Sequence, residues 1–257
     1  MKFTWGTPNP GDPFTRLSSF KWLAMRQLSA TIAAAAPHAR GRLLDVGCGA
    51  RRFAHYFEPR VSRYVGLDYP TTYQLGEEHI DVYGDGLQLP FLDGSFETVV
   101  CFEVLEHVKD GAQLAREIAR VVTPGGTVIL TVPFLWGEHC QPHDYARYTV
   151  FGVKQLFEAA GLDVVAQRKV GGYWTVAGQR LCYHLEAVYK PLGRWMHTSL
   201  SFMLLTCAWL LEHLDPSTNE YTMSMVIAHK PGRASERACA PVTGFLQPAP
   251  LGIEGGR

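Results

Sequence analysis

From Arg42 to Val170 the chain alternates short apolar runs with helix-forming stretches, and few folds are compatible with that alternation. The runs at 43–46, 64–67, 80–83, 98–102, 127–132 and 162–170 read as strands. The stretches 51–57, 105–122 and 150–160 read as helices. The amphipathic helix 105–122 is expected to close at Pro124-Gly125-Gly126, and Gly161 to cap 150–160. Strands alternating with helices predict a parallel sheet covered on both faces, a doubly wound α/β domain.

The flanks divide the chain further. Residues 1–14 read as an extended arm rich in Pro and Gly, and 20–36 as a helix stopped by Pro37. The main domain is expected over 42–230, after an N-terminal arm and helix at 1–41 and before a disordered tail at 231–257. Residues 174–215 break the alternation as a helical insert. Its helices at 174–189 and 200–211 are separated by Pro191-Leu192-Gly193, and 222–228 reads as a last strand. With 47% hydrophobic and 19% charged residues, such a chain can bury its core without disulfides or structural metal. The six cysteines are scattered with no C-x-x-C pair, and the first residues have no apolar run after a basic stretch. Both features are those of a reduced, cytoplasmic protein. A formal net charge of zero offers no long-range attraction to nucleic acid, and none is expected as a partner.

The segment richest in chemistry is Leu43-Leu44-Asp45-Val46-Gly47-Cys48-Gly49-Ala50, a buried strand running into a glycine turn. Gly47 and Gly49 permit close backbone approach by a ligand. Asp68 ends the next strand, at the spacing where an acid meets ribose hydroxyls, and Asp85 ends the third. Either acid alone could be a cap; three strand tips in order favour a nucleotide-type site. A pyridine-nucleotide dehydrogenase is disfavoured because Phe53 stands near the place of that fingerprint's third glycine.

The runs LLDVGCGA, VGLDYP, YGDGLQLPFLDGSFETVVCFEVLEHV and IARVVTPGGTVILTVP resemble the class I S-adenosylmethionine methyltransferases. Among these the chain is most similar to the small-molecule branch called methyltransferase type 11. The resemblance implies a mostly parallel, Rossmann-like seven-stranded sheet with an antiparallel last strand, and S-adenosyl-L-methionine as cofactor. It implies that Gly47, Cys48 and Gly49 cradle the methionine part, with Asp45 supporting the turn and the amino group. Asp68 would bind the ribose hydroxyls and Tyr69 would lie on the adenine. Asp85 and the backbone of Gly86 and Leu87 would read the adenine edge, and Phe102 and Glu103 would wall the site near the sulfonium. His107 would lie close by or cap its helix. Ala50 departs from a further glycine often found there.

The loop 133–149 should lie beside the methyl group. In it, His139 or His143 could take a proton from the acceptor, with Asp144 orienting the imidazole. The competing structural reading, favoured here, is a brace of Asp144, Arg147 and Tyr148 with Thr149 as the next helix's N-cap. A metal set of Glu138, His139 and His143 lacks helical H-x-x-x-H spacing, so no metal is assigned. The insert segment 200–211 is too short to span a bilayer and has aromatic and basic flanks. It could rest at a membrane surface, form a homodimer interface or sit inside a substrate lid. The function expected is methyl transfer to an O, N or C nucleophile of a small molecule, with a glycan- or lipid-linked acceptor in view. The alternative is a non-catalytic module that keeps the fold.

Overall fold

Seven strands form one sheet in the order β3-β2-β1-β4-β5-β7-β6. They are seen in a computed structural model that describes residues 17, 19–70, 80–189, 194–215, 217 and 219–232. The strands are β1 (Arg42–Val46), β2 (Arg63–Asp68), β3 (Val82–Tyr83), β4 (Phe96–Phe102), β5 (Val122–Pro133), β6 (Asp163–Val170) and β7 (Met223–His229). β1 to β5 pair in parallel, and β7 runs antiparallel to both β5 and β6. The strand order turns back on itself between β1 and β4. In open α/β sheets this switch point opens a crevice at the carboxyl ends of the strands.

Strand periodicity builds the two cores. Leu44, Val46, Val99, Cys101, Val128 and Leu130 face one side, while Leu43, Val100, Phe102 and Ile129 face the other. The first side is covered by α3 (Gly111–Val121) and α4 (Val150–Ala159), the second by α1 (Trp22–Ala35) and the short α2 (Ala54–Phe57). The helix α1 therefore packs directly on the sheet through Leu28 and Ile32.

Several expected boundaries move: the strand expected over 80–83 is only Val82–Tyr83 and the helix over 51–57 only Ala54–Phe57. The single helix expected over 105–122 is instead a 3-10 turn at Leu105–His107 followed by α3. The Asp110 side chain accepts from the Gln113 N–H at 2.9 Å and starts a new helix there. The Tyr148 hydroxyl lies 2.6 Å from where a Cβ on Gly111 would stand, so the entry needs glycine. The Pro124-Gly125-Gly126 segment lies within β5, which begins at Val122 opposite Phe96 and shifts register before Thr127. By contrast, Thr149 caps α4 by accepting from the Gly152 N–H at 3.1 Å, and Gly161 follows the helix at φ 85°.

Between β6 and β7 stand α5 (Tyr173–Tyr189) and α6 (Arg194–Leu214), the latter longer than the 200–211 expected. They pack on each other where Gly178 lets Ala208 approach, and on α1 through Trp22, Leu23, Cys182 and Leu205. Gln27 donates to the Thr175 hydroxyl at 3.1 Å and Gln179 to the Phe20 carbonyl at 3.0 Å, fixing the pair to α1. α6 buries Ser201, Leu205 and Ala208 and turns Met203, Cys207, Leu210 and Leu214 outward. Leu210 is 51% and Leu214 80% exposed, so this apolar face has no cover among the described residues. No helix among the described residues is long and apolar enough to cross a membrane. The arm expected at 1–14, the interruption at 191–193 and residues 233–257 of the expected tail lie outside the described residues.

Candidate functional site

The turn after β1 is held by backbone geometry that only glycine accepts readily. Gly47 has φ 74° and Gly49 φ 46°. A Cβ on Gly47 would fall on the Val104 side chain, whereas a Cβ on Gly49 would meet nothing within 4 Å. The first glycine thus serves packing and the second borders open space. The N–H groups of Gly47 and Cys48 both donate to the Leu67 carbonyl, at 2.8 and 3.0 Å.

Asp68 ties that turn to β2. Its Oδ2 accepts from the Gly49 N–H at 2.6 Å and its Oδ1 from the Tyr69 N–H at 2.7 Å. A carboxylate has about four acceptor positions, so capacity remains on both oxygens. The Tyr69 ring is 58% exposed. Asp45, buried beneath the turn, accepts from the Tyr64 hydroxyl. Burial pushes its carboxyl up to about 7, with Asp68 adding to the rise and the Tyr64 hydrogen bond and Arg51 opposing it. Burial likewise pushes the Cys48 thiol up to about 12, so it is a neutral packing group and no nucleophile.

Asp85 lies beyond β3 as expected, whereas Phe102 faces the core. Asp85 is exposed, but its Oδ1 accepts from the Leu87 N–H at 2.8 Å. The Leu87 N–H is thus already engaged within the turn, while Gly86 backs onto Leu114. Phe102 is 8% exposed and packs on Phe53 and Phe57, with ring centroids 5.5 and 5.8 Å apart. It belongs to the core, on the face it shares with Val100. Glu103, at φ 56°, turns the chain away from β4, and its Oε1 is buried. Burial raises its carboxyl pKa.

The loop after β5 sorts its candidates. Asp144 does not touch His143; it receives both Arg147 terminal nitrogens at 2.5 and 2.6 Å and the His139 N–H at 2.9 Å. Those Arg147 hydrogen bonds hold the Asp144 carboxyl down at about 2. Arg147 also donates to the carbonyls of Trp136 and Gly137 at 3.2 and 3.1 Å. The brace is therefore Asp144 with Arg147, and Tyr148 lies apart against Gly111. His143 is exposed, with Nδ1 3.0 Å from the Tyr145 hydroxyl. Glu138 pairs with Gln141 at 3.0 Å, away from His143. Trp136 meets Tyr183 edge-on at 5.8 Å, which brings α5 to this loop.

One residue went unselected in the sequence. Glu106 is fully buried in the turn after β4, beside His107 and His139. Burial first, and then the charge of Glu103, raise its carboxyl pKa well above the usual range. The signal was the pair of acids three residues apart followed by His107, but their burial is not legible in one sequence.

The comparisons agree with this geometry. A methyltransferase-domain family model matches residues 44–130. A probable S-adenosylmethionine-dependent methyltransferase of Mycolicibacterium smegmatis is 33% identical over 133 residues, covering 48% of this chain and 52% of that protein. The demethylmenaquinone methyltransferase of Roseiflexus castenholzii is 36% identical over 111 residues, 39% of this chain and 46% of that protein. The chain thus spans about half the length of the curated relatives it matches. Among solved structures, the (4+2)-cyclase SpnF superposes with a TM-score of 0.54 at 18% identity, covering 82% of this chain and 84% of that one. Residues 44–130 are thus similar to the methyltransferase-domain family, and the sheet around them has the fold of the solved structure it superposes on.

Proposed function

We propose that this protein transfers a methyl group from S-adenosyl-L-methionine to a nucleophilic atom of a small molecule. The observation that carries this reading is the Gly47–Gly49 turn, fixed by Asp68 and bordering open space at the switch point between β1 and β4. When bound, the cofactor supplies an activated methyl group on a sulfonium. The chain's own work is to bind and align. Asp68 has acceptor capacity for ribose hydroxyls, and Asp45 lies beneath the turn where an ammonium group would restore its charge. Fixing two reactants in line supplies much of the acceleration in such a transfer. Any proton from the acceptor would go to His143 at the exposed rim or to His139 within the loop.

Calorimetry with S-adenosyl-L-methionine and transfer of labelled methyl to a metabolite mixture test the reading. Asp68→Asn keeps an acceptor for the Gly49 N–H but loses the charge. It is expected to weaken cofactor binding about 10–100-fold, as loss of hydrogen bonds to a charged group does, with little change in Tm. Absence of cofactor binding by the unaltered protein would sink the proposal, and binding without methyl transfer would favour the non-catalytic module.

The finer reading, a lipid-linked acceptor met at a membrane surface, is supported by the uncovered face of α6. Paired Leu210→Glu and Leu214→Glu changes place charge only on exposed positions. They are expected to abolish sedimentation with anionic liposomes while leaving the cofactor affinity unchanged. A wild-type protein that stays in the supernatant and runs as a dimer would assign the face to a second subunit instead.

A further inference from the structure

Glu106 is buried completely, and neither of its carboxylate oxygens has a hydrogen-bond partner. A buried carboxylate in that state is costly unless something compensates it. Its neighbours do not supply a donor. The Nε2 atoms of His107 and His139 lie 3.5 and 3.8 Å from Glu106 Oε1. The other nitrogen of each ring faces a backbone carbonyl: His107 Nδ1 is 2.6 Å from the His143 oxygen, and His139 Nδ1 3.2 Å from the Gly137 oxygen. A carbonyl only accepts, so neutral His107 carries its proton on Nδ1 and turns a lone pair on Nε2 towards Glu106. His139 Nδ1 faces the Gly137 oxygen at 3.2 Å and Asp144 Oδ2 at 3.6 Å, with Arg147 Nη2 at 3.5 Å, and the two acceptors favour the same tautomer. With Glu106 ionised, three acceptors then converge on one small space.

That arrangement is the one a metal ion needs. Histidines that bind metals usually donate their second ring N–H to a carbonyl or carboxylate, which fixes the tautomer. Two ligands about 2.0–2.1 Å from a tetrahedral ion stand about 3.4 Å apart, close to the separations found here. Cys140 joins the two rings, because one ligand atom each of His107, His139 and Cys140 lies within 4.8 Å of the others. Cys140 is exposed and sits at φ 53°, a conformation that brings it next to His139 by a sharp local turn.

We propose that His107, His139 and Cys140 bind a single zinc ion, with Glu106 as the carboxylate beside the two rings. Two imidazoles and a thiolate make a borderline-soft set that suits zinc and disfavours magnesium or calcium, and three protein ligands leave a fourth position open. Binding releases the Cys140 thiol proton to solvent as the sulfur–zinc bond forms. The ion would pin the loop between β5 and α4 to the turn after β4, at the edge of the sheet where the cofactor crevice opens. The site stands on its own geometry and does not depend on the methyl-transfer reading; an ion on His139 Nε2 leaves His143 as the proton acceptor of that reading.

The experiment uses the full-length chain stripped with a chelator, then titrated with zinc(II) against a chromogenic chelator and with cobalt(II) as an optical probe. One zinc equivalent per chain is expected. His139→Ala should lower zinc affinity at least about 100-fold, the upper end of what even outer-shell losses cost. Cys140→Ser changes an exposed position and should fold normally; it should remove the sulfur-to-cobalt charge-transfer band. Substoichiometric zinc binding by the wild-type chain overturns the proposal, and so does an unchanged cobalt spectrum in Cys140→Ser. Should His139→Ala fail to fold, the Cys140→Ser spectrum decides alone. Cofactor calorimetry on the stripped protein, run in parallel, separates failure of this site from failure of the methyltransferase reading.

Discussion

Replacing Arg147 by alanine is expected to lower the stability of the protein by about 3 kcal/mol, the low end of the cost of breaking a buried ion pair. Asp144 is its buried partner, with a side chain only 4% exposed, while Arg147 is 22% exposed. Removing the guanidinium leaves Asp144 with the His139 N–H as its remaining donor and strips the carbonyls of Trp136 and Gly137 of theirs. Water can reach part of the vacated space, which keeps the loss near the low end. Denaturant unfolding should show a lower midpoint with an unchanged slope. Adding Asp144→Asn to Arg147→Ala should recover part of the loss, because the uncompensated charge is then gone. The pair also shapes the acid limb. Arg147 holds the Asp144 carboxyl at about 2, below its ordinary value near 4. A depressed acid contributes stability above its unfolded pKa and loses it as pH falls through the folded one. The wild type should therefore lose more stability than Arg147→Ala between about pH 4 and pH 2. A midpoint within error of wild type in Arg147→Ala would show that the loop is held by other contacts.

The sheet was legible because buried parallel strands are short apolar runs, and a glycine directly follows β1, β3 and β6. The antiparallel place of β7 between β5 and β6 is non-local and came only through resemblance. The glycine turn was legible because positive φ restricts residue choice at Gly47. The break before α3 was not, since the apolar spacing of 105–122 continues through it, and only the Asp110 cap reveals two elements. Phe102 was expected to wall the site only through the resemblance, and it packs into the core against Phe57. Asp144 adjoins His143 in sequence but serves Arg147 and the His139 backbone, because in a loop sequence neighbours need not share a direction. Burial of Glu106 depends on two segments 30 residues apart meeting, which no local pattern encodes.

Fold alone leaves the reaction open. The superposition with a cyclase at a TM-score of 0.54 shows one scaffold under different chemistry. What separates a working cofactor site from an inherited scaffold is the state of the groups around the glycine turn, and Asp45 gives that state a measurable handle.

Asp45 is expected to make both stability and cofactor affinity depend on pH near neutrality. Its carboxyl is pushed up to about 7, first by burial and then by the charge of Asp68, against the Tyr64 hydroxyl and Arg51. The unfolded chain returns it to about 3.9. Between those values the folded state holds more protons than the unfolded one, so stability falls as pH rises from about 4 to about 7. The whole window is worth on the order of 4 kcal/mol, at 1.36 kcal/mol per unit. Asp45→Asn keeps an acceptor for the Tyr64 hydroxyl and cannot ionise. The difference in unfolding free energy between wild type and Asp45→Asn should therefore drift against the wild type across pH 5–7 and flatten above about 8. The cofactor's ammonium group works in the opposite sense, because it favours the ionised carboxylate. With a pKa near 7 in the free protein, about a tenth of the molecules carry the charge at pH 6 and about nine tenths at pH 8. Wild-type affinity for S-adenosyl-L-methionine should then rise about tenfold over that range, while Asp45→Asn stays weak and flat. Parallel stability curves for the two proteins from pH 5 to pH 8 would mean that Asp45 remains charged in the fold, and the affinity rise should then vanish with them.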